Sequence, residues 1–230
     1  MKNIGIIGAM PQEVEIIKNN IKNLKETKIG GCKFFTGTIL NHKVTLTQSG
    51  IGKVAATIGT TILIENFKPD VIINTGSAGS LKDHFCIGDV VVSTNVTHHD
   101  VDLTAFGYAK GQCAQLPINY SADKDLIGQL KSVLAQENQN YHFGLLCSGD
   151  SFVASEHATL KIKKDFPEAI AVDMEAAAIA QTCFMFDVPF VVLRAISDGA
   201  NNDSSMTFEE FLPIASKNSS KIILLLLENL

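Results

Sequence analysis

Two acidic motifs in this chain suit a single chemistry. Ala171-Val-Asp173-Met174-Glu175 is followed, after room for a helix and a strand, by Arg194-Ala-Ile-Ser197-Asp198. At the ends of neighbouring strands, such carboxylates grip the hydroxyls of a sugar and hand a proton to a departing base, which is what cleavage of an N-ribosyl bond requires. A third carboxylate, Glu13, stands just after the apolar run Ile4 to Met10, behind Pro11. Proline suits the first turn of a helix, and a carboxylate in that turn is favoured by the helix dipole. Glu13 therefore reads either as an ordinary first-turn acid or as a carboxylate held ionised to take a proton from water. Glu175 need only begin a helix, and Asp198-Gly199 need only make a turn or a cap. Their shared position, outside the carboxyl ends of strands where α/β sheets bind ligands, argues for function.

The elements that must position these groups alternate along the chain. Strands are expected at Ile4–Ile7, Lys33–Leu40, Val44–Gln48, Val71–Asn74, Val90–Ser93, Phe143–Cys147, Ala169–Val172 and Phe190–Ile196. Helices are expected from Pro11, over Lys53–Asn66, Asp123–Glu137, Ser155–Asp165 and Glu175–Phe186, and over Phe208–Glu228, whose Phe208, Phe211, Leu212, Ala215, Ile222 and Leu226 make an apolar stripe. This alternation implies an α/β fold, a three-layer α/β/α sandwich with a mixed, mostly parallel central sheet. Several strands are near-continuous Val, Ile and Leu, as burial on both faces demands. His98 to Asn119 lacks periodicity and holds Gly107, Gly111 and Pro117, so it reads as a long loop, a feature that is usually functional when it occurs in a compact domain.

Composition narrows the partners. At 230 residues, 46% hydrophobic and 19% charged, residues 1–230 read as one domain with a full core. A formal charge of -5 leaves no electrostatic footprint for nucleic acid or an anionic membrane. The run Ile222 to Leu227 is far too short to span a bilayer, and Pro11-Gln12-Glu13 after the first apolar run is no signal-peptide cleavage site. Cys32, Cys86, Cys113, Cys147 and Cys183 are odd in number and unpaired in spacing, which fits a reducing, cytoplasmic setting. Arg194 is the single arginine among 19 basic residues, so its planar fork matters either near a sugar, orienting Glu175 or a hydroxyl, or in a structural ion pair.

Three motifs are weaker than they look. Gly50-Ile51-Gly52-Lys53 resembles a phosphate loop, but Val54 stands where Ser or Thr is required and Thr47 where the first glycine belongs. Gly76-Ser77-Ala78-Gly79 lacks the full dinucleotide fingerprint and reads on physical grounds as a tight strand-to-loop turn. His98-His99-Asp100-Val-Asp102 invites a metal, yet neighbours in an extended segment point to opposite faces, so no metal and no cofactor is expected.

Ile4-Gly-Ile-Ile-Gly-Ala-Met10 with Glu13, Ser49-Gly-Ile-Gly-Lys53, Asn74-Thr-Gly-Ser-Ala-Gly79, Thr104-Ala-Phe-Gly-Tyr108, Ser148-Gly-Asp150 with Phe152, and the two acidic motifs occur together in order. With these the whole chain resembles the 5'-methylthioadenosine/S-adenosylhomocysteine nucleosidases of the purine nucleoside phosphorylase superfamily. The resemblance implies hydrolysis of the adenine–ribose bond in methylthioadenosine and adenosylhomocysteine, and possible use of 5'-deoxyadenosine, in methionine salvage and removal of methyl-cycle by-product. It makes Glu13 the general base and Asp198 the acid at purine nitrogen 7, with Glu175 chelating the 2' and 3' hydroxyls. Phe152 would stack on adenine and Val153 offer its backbone to the adenine edge. Met10 and Met174 would pack near the ribose, and Phe208 would cover the sugar and alkylthio arm. Ile51, Ser77, Ala78, Gly79, Arg194 and Ser197 would complete the pocket. The active unit would be a homodimer, with Leu103 and Phe106 reaching the partner's site. Asp173 stands where members often carry Glu. The rival readings are a phosphorylase of the same superfamily, which would need basic residues to clamp phosphate, and a nucleoside-binding protein that would need neither Glu13 nor Asp198.

Overall fold

The computed structural model describes residues 1–137, 139–199 and 204–230, and the side chains of all of these except 204–207. Its strands are β1 (Asn3–Gly8), β2 (Lys22–Ile29), β3 (Cys32–Ile39), β4 (His42–Gln48), β5 (Val71–Ser80), β6 (Val90–His98), β7 (Tyr120–Ser121), β8 (Tyr141–Ser148), β9 (Ala169–Asp173) and β10 (Phe190–Asp198). The helices are α1 (Pro11–Asn19), α2 (Lys53–Phe67), α3 (Lys124–Leu134), α4 (Glu156–Asp165), α5 (Ala176–Met185) and α6 (Ser204–Glu228). One mixed sheet runs β10-β6-β8-β9-β5-β1-β4-β3-β2, and β10 also pairs with β5, so the first part of the sheet closes on itself. Pairings among β4, β1, β5 and β10, and among β6, β8 and β9, are parallel; antiparallel pairings join the two groups and build the β2–β4 edge. Helix α6 packs on β5, β10, α1 and α3, while α2 packs on α5 and against β1 and β4, giving the expected α/β/α layers.

Burial follows the residue types. Ile4, Ile6, Ile7, Ile72, Ile73, Val90–Val92 and Val191–Leu193 are inaccessible to solvent, as strands covered on both faces require. The edge strand β2 escaped detection because Lys22-Asn-Leu-Lys-Glu-Thr-Lys-Ile29 is exposed almost throughout and carries no apolar alternation. Its lysines also discourage edge-to-edge pairing. The two-residue β7 is too short to leave a pattern.

The expected turn at Gly76–Gly79 is corrected: β5 runs straight through it. Parallel pairing of Gly76 with Arg194, Ser77 with Ala195 and Ala78 with Ile196 extends the strand, and Gly79 adds an antiparallel pairing with Val172. The glycines serve close approach rather than a bend. A Cβ on Gly76 would lie 2.8 Å from Glu13 Oε1 and 3.0 Å from Arg194 Nη1, and one on Gly79 would lie 2.9 Å from Asp198 Oδ2. The segment after His98 is irregular as expected, apart from one 3-10 turn at Thr104–Phe106. Among the described residues no helix is long and apolar enough to cross a membrane.

Candidate active site

The carboxyl ends of β1, β5, β9 and β10 open into a cleft of about 660 Å³, mouth included, a size that suits a small organic ligand. Met10 and Glu13 follow β1, and Ser77, Ala78 and Gly79 lie on β5. Met174 and Glu175 follow β9, while Ser197 and Asp198 end β10. Ile51 enters from the β4–α2 connection, Phe152 and Val153 from the β8–α4 connection, and Phe208 from α6. These expected residues all line one cleft. Asp173 of the first acidic motif lines it too, as do Ala9, Ser151 and Val172, which sequence reading did not single out because small or apolar side chains beside a site carry no signal of their own.

Glu13 is 4% exposed, in the first turn of α1. Its Oε2 accepts hydrogen bonds from the backbone amides of Ala9 and Met10, both at 3.0 Å. Its Oε1 accepts from the Ser77 amide at 3.0 Å and the Ser77 hydroxyl at 3.1 Å. Four donors thus converge on a carboxylate at the cleft wall. The local fold follows from Pro11 fixing the first turn while Gly76 leaves space for the carboxylate on β5.

Asp198 reaches the cleft through an irregularity in β10. Ile196 pairs with Ala78 and Asp198 with Gly79, leaving Ser197 as the extra residue, and such bulges re-aim side chains near active sites. Asp198 is therefore the last residue of a strand rather than part of a turn. It is 5% exposed, and its Oδ1 accepts a 2.7 Å hydrogen bond from the Ser197 hydroxyl. Burial pushes its carboxyl up, and the Ser197 hydrogen bond only partly opposes this. An acid that holds its proton more tightly than a free carboxyl is suited to protonating a departing base.

Glu175 sits at the N-terminal boundary of α5, 8% exposed, and its Oε1 accepts a 2.9 Å hydrogen bond from the Gly52 amide. Gly52 of the spurious phosphate loop therefore serves a carboxylate of the protein itself. Burial raises the Glu175 carboxyl well above the usual range, with Asp173 and Glu13 adding to the shift and Arg194 and the Gly52 amide opposing it.

Arg194 is only 1% exposed and is not among the residues lining the cleft. Its Nε and Nη2 donate to Asp173 Oδ2 at 3.0 and 2.5 Å, and Nη2 also donates to Asn74 Oδ1 at 2.8 Å. Asp173 is held in turn by the Ser148 hydroxyl and the Ala176 amide. The short hydrogen bonds of the fork thus go to Asp173 and Asn74, with a longer one from Nη1 to the Leu193 carbonyl at 3.5 Å, and the guanidinium touches Glu175 only through the shared field. Breaking buried hydrogen bonds to charged groups costs about 1.5–3 kcal/mol each. Arg194→Lys, which cannot span both Asp173 and Asn74 with a planar fork, is expected to lower Tm by roughly 4–8 °C for about 2 kcal/mol. Thermal unfolding checks this; an unchanged Tm with a depressed kcat/KM would instead put the fork's importance at the sugar.

Leu103 and Phe106 lie on the connection after β6, and Phe106 is 79% exposed and does not line this chain's own cleft. The His-rich start of that connection is engaged elsewhere: His98 Nε2 lies 2.8 Å from Gln181 Oε1, Asp100 pairs with Lys53 at 2.7 Å, and Asp102 pairs with Lys110 at 2.6 Å. Among the described residues no group of three His, Cys, Asp or Glu converges as a metal site would require. Among the described residues four carboxylates, Glu13, Asp173, Glu175 and Asp198, line the cleft, and no lysine or arginine does. Residues 200–203 are Ala-Asn-Asn-Asp in sequence and so include no lysine or arginine.

Residues 3–228 match the phosphorylase superfamily. A protein of Staphylococcus carnosus called 5'-methylthioadenosine/S-adenosylhomocysteine nucleosidase is 53% identical over 227 residues, 99% of this chain and 100% of its own length. A protein of the same name from Staphylococcus aureus is 52% identical over 96% of each chain. The nucleosidase of Neisseria meningitidis, solved with methylthio-immucillin-A, superposes with a TM-score of 0.98 at 43% identity over the full length of both chains.

Proposed function

The chain belongs to the 5'-methylthioadenosine/S-adenosylhomocysteine nucleosidase family of the phosphorylase superfamily, and from that premise we propose how its cleft hydrolyses the N-ribosyl bond of those two nucleosides. The products are adenine and the thio-substituted ribose. The observation that carries the reading is the cleft's charge. Phosphate as nucleophile would need cations, whereas the cleft presents carboxylates alone, which repel an anion and activate water.

Three of these carboxylates then have distinct tasks. Water held beside Glu13 and Ser77 attacks the anomeric carbon and gives its proton to Glu13. As the C–N bond lengthens, positive charge develops on the ribose ring, and Glu175, once ionised, stabilises it while accepting hydrogen bonds from the 2' and 3' hydroxyls. Asp198, whose carboxyl burial pushes up, passes a proton to purine nitrogen 7 so that adenine leaves neutral. Phe152 and Phe208, 5.6 Å apart and edge to face, offer apolar cover for adenine and the alkylthio arm. Release of adenine from methylthioadenosine in phosphate-free buffer tests the reading. Turnover only when phosphate is added would assign a phosphorylase, and binding without adenine release would assign a nucleoside-binding protein.

The proposed active unit is a cytoplasmic homodimer of this one domain, residues 1–230, in which Leu103 and Phe106 complete the partner's cleft. The support is a large aromatic side chain standing almost free on its 3-10 turn, and five free cysteines. Phe106→Ala is expected to raise KM about tenfold while kcat changes less, because buried aromatic anchors dominate such contacts. Steady-state kinetics with sedimentation measure both halves; a fully active monomer would refute it.

A further inference from the structure

The reaction as proposed leaves unexplained what holds Glu175 in register with the sugar. The Gly52 amide donates to Glu175 Oε1 at 2.9 Å, and the next amide, that of Lys53, donates to Asp150 Oδ1 at 2.7 Å. Two consecutive amides at the start of α2 thus bind two carboxylates from two other connections. Gly52 has φ of +92°, and a Cβ there would lie 3.0 Å from Asp150 Oδ1, so the Asp150 carboxylate is seated against the Gly52 backbone. Asp150 is itself anchored, because its amide donates to Asp100 Oδ2 at 2.9 Å while Lys53 Nζ donates to Asp100 Oδ1 at 2.7 Å. Lys53, Asp100 and Asp150 close a ring through one ammonium and two amides.

We propose that Asp150 is a positioning residue for the hydrolysis, holding the Gly52–Lys53 backbone so that the Gly52 amide keeps Glu175 aimed at the sugar hydroxyls. The inference rests on the hydrolase reading above and adds to it a residue outside the cleft lining. The ring joins two parts of the site: Asp150 is two residues from Phe152, and the backbone it holds supports Glu175. Its contribution to global stability is small, since Asp150 is exposed and solvent-screened charges contribute little. Its effect is local, on an amide aimed at a buried carboxylate.

The groups facing Glu175 are Asp173 from β9, Glu13 from α1 and Arg194 from β10; those around Asp150 are Lys53, Asp100 and, against Gly149, His99. The Gly52 hydrogen bond favours the ionised form of Glu175, which burial, Asp173 and Glu13 disfavour. Losing that bond moves the Glu175 carboxyl further up, so activity disappears first on the acid side.

The test compares kcat/KM for adenine release across about pH 5.5–9 in phosphate-free buffer for wild type, Asp150→Ala and Asp150→Asn, with Tm for each. Asp150→Ala is expected to lose about tenfold near neutral pH, to shift its acid limb to higher pH, and to come within about threefold of wild type near pH 9. Asp150→Asn keeps an acceptor oxygen at the same reach and is expected to recover most of the loss. A wild-type profile for Asp150→Ala, or an equal loss at every pH, overturns the inference. Should Asp150→Ala fail to fold, Asp100→Ala removes the anchor of the Asp150 amide and is read by the same two outcomes. A wild-type protein that releases no adenine would sink the hydrolase reading instead, before any variant is compared.

Discussion

Asp198→Asn is expected to depress kcat by about 10²–10⁴ while leaving the affinity for a non-hydrolysable substrate analogue within a few-fold. The proton is needed as the bond to adenine breaks, so its loss is felt in the transition state rather than in ground-state binding. The substitution is nearly isosteric, and Ser197 can still donate to the amide oxygen. Stability does not confound the result. Burial raises the folded-state carboxyl of Asp198 above its unfolded value. Between those two values the folded chain therefore holds more protons than the unfolded chain, and stability falls as pH rises through that window. Asn removes that liability, so the variant should melt no lower than wild type at neutral pH. Single-turnover rates and analogue titration check both parts; a collapse of affinity with a normal chemical step would remove Asp198 from the acid's role.

Glu13→Gln is expected to lose a similar ~10²–10⁴-fold in kcat, equivalent to roughly 3–5 kcal/mol of transition-state stabilisation. Here stability should also fall. The wild-type carboxylate accepts from the amides of Ala9, Met10 and Ser77 and from the Ser77 hydroxyl. A glutamine must turn its NH2 toward one pair of these donors, at a cost of about 1–3 kcal/mol. A Tm lower by several degrees with an otherwise cooperative transition is therefore expected. The two effects separate by assaying well below the melting transition. Near-normal turnover there would eliminate Glu13 as the base.

Much of the site was legible because its residues fall at strand ends that hydrophobic patterning locates well. Glu13 after β1, Glu175 after β9 and Asp198 at the end of β10 are examples, and the resemblance resting on their motifs led to the same cleft. The edge strand β2 was not legible, since an exposed, lysine-rich strand buries almost nothing and has no period to detect. Gly76–Gly79 misled for a different reason. Glycine is equally at home in a turn or in a strand approached closely by other side chains, and only Glu13, Arg194 and Asp198, distant in sequence, show which applies.

By itself the sequence determined the α/β alternation, the apolar strands and the identities of the three carboxylates, because these depend on residue type and short-range period. Tertiary structure decided their chemistry. Whether Glu13 meets four donors, whether Arg194 spends its fork on Asp173 and Asn74, and whether the Gly52 amide serves a phosphate or Glu175 all depend on partners far away along the chain. Those encounters are fixed by strand register and the bulge at Ser197, long-range outcomes of packing that no local pattern encodes.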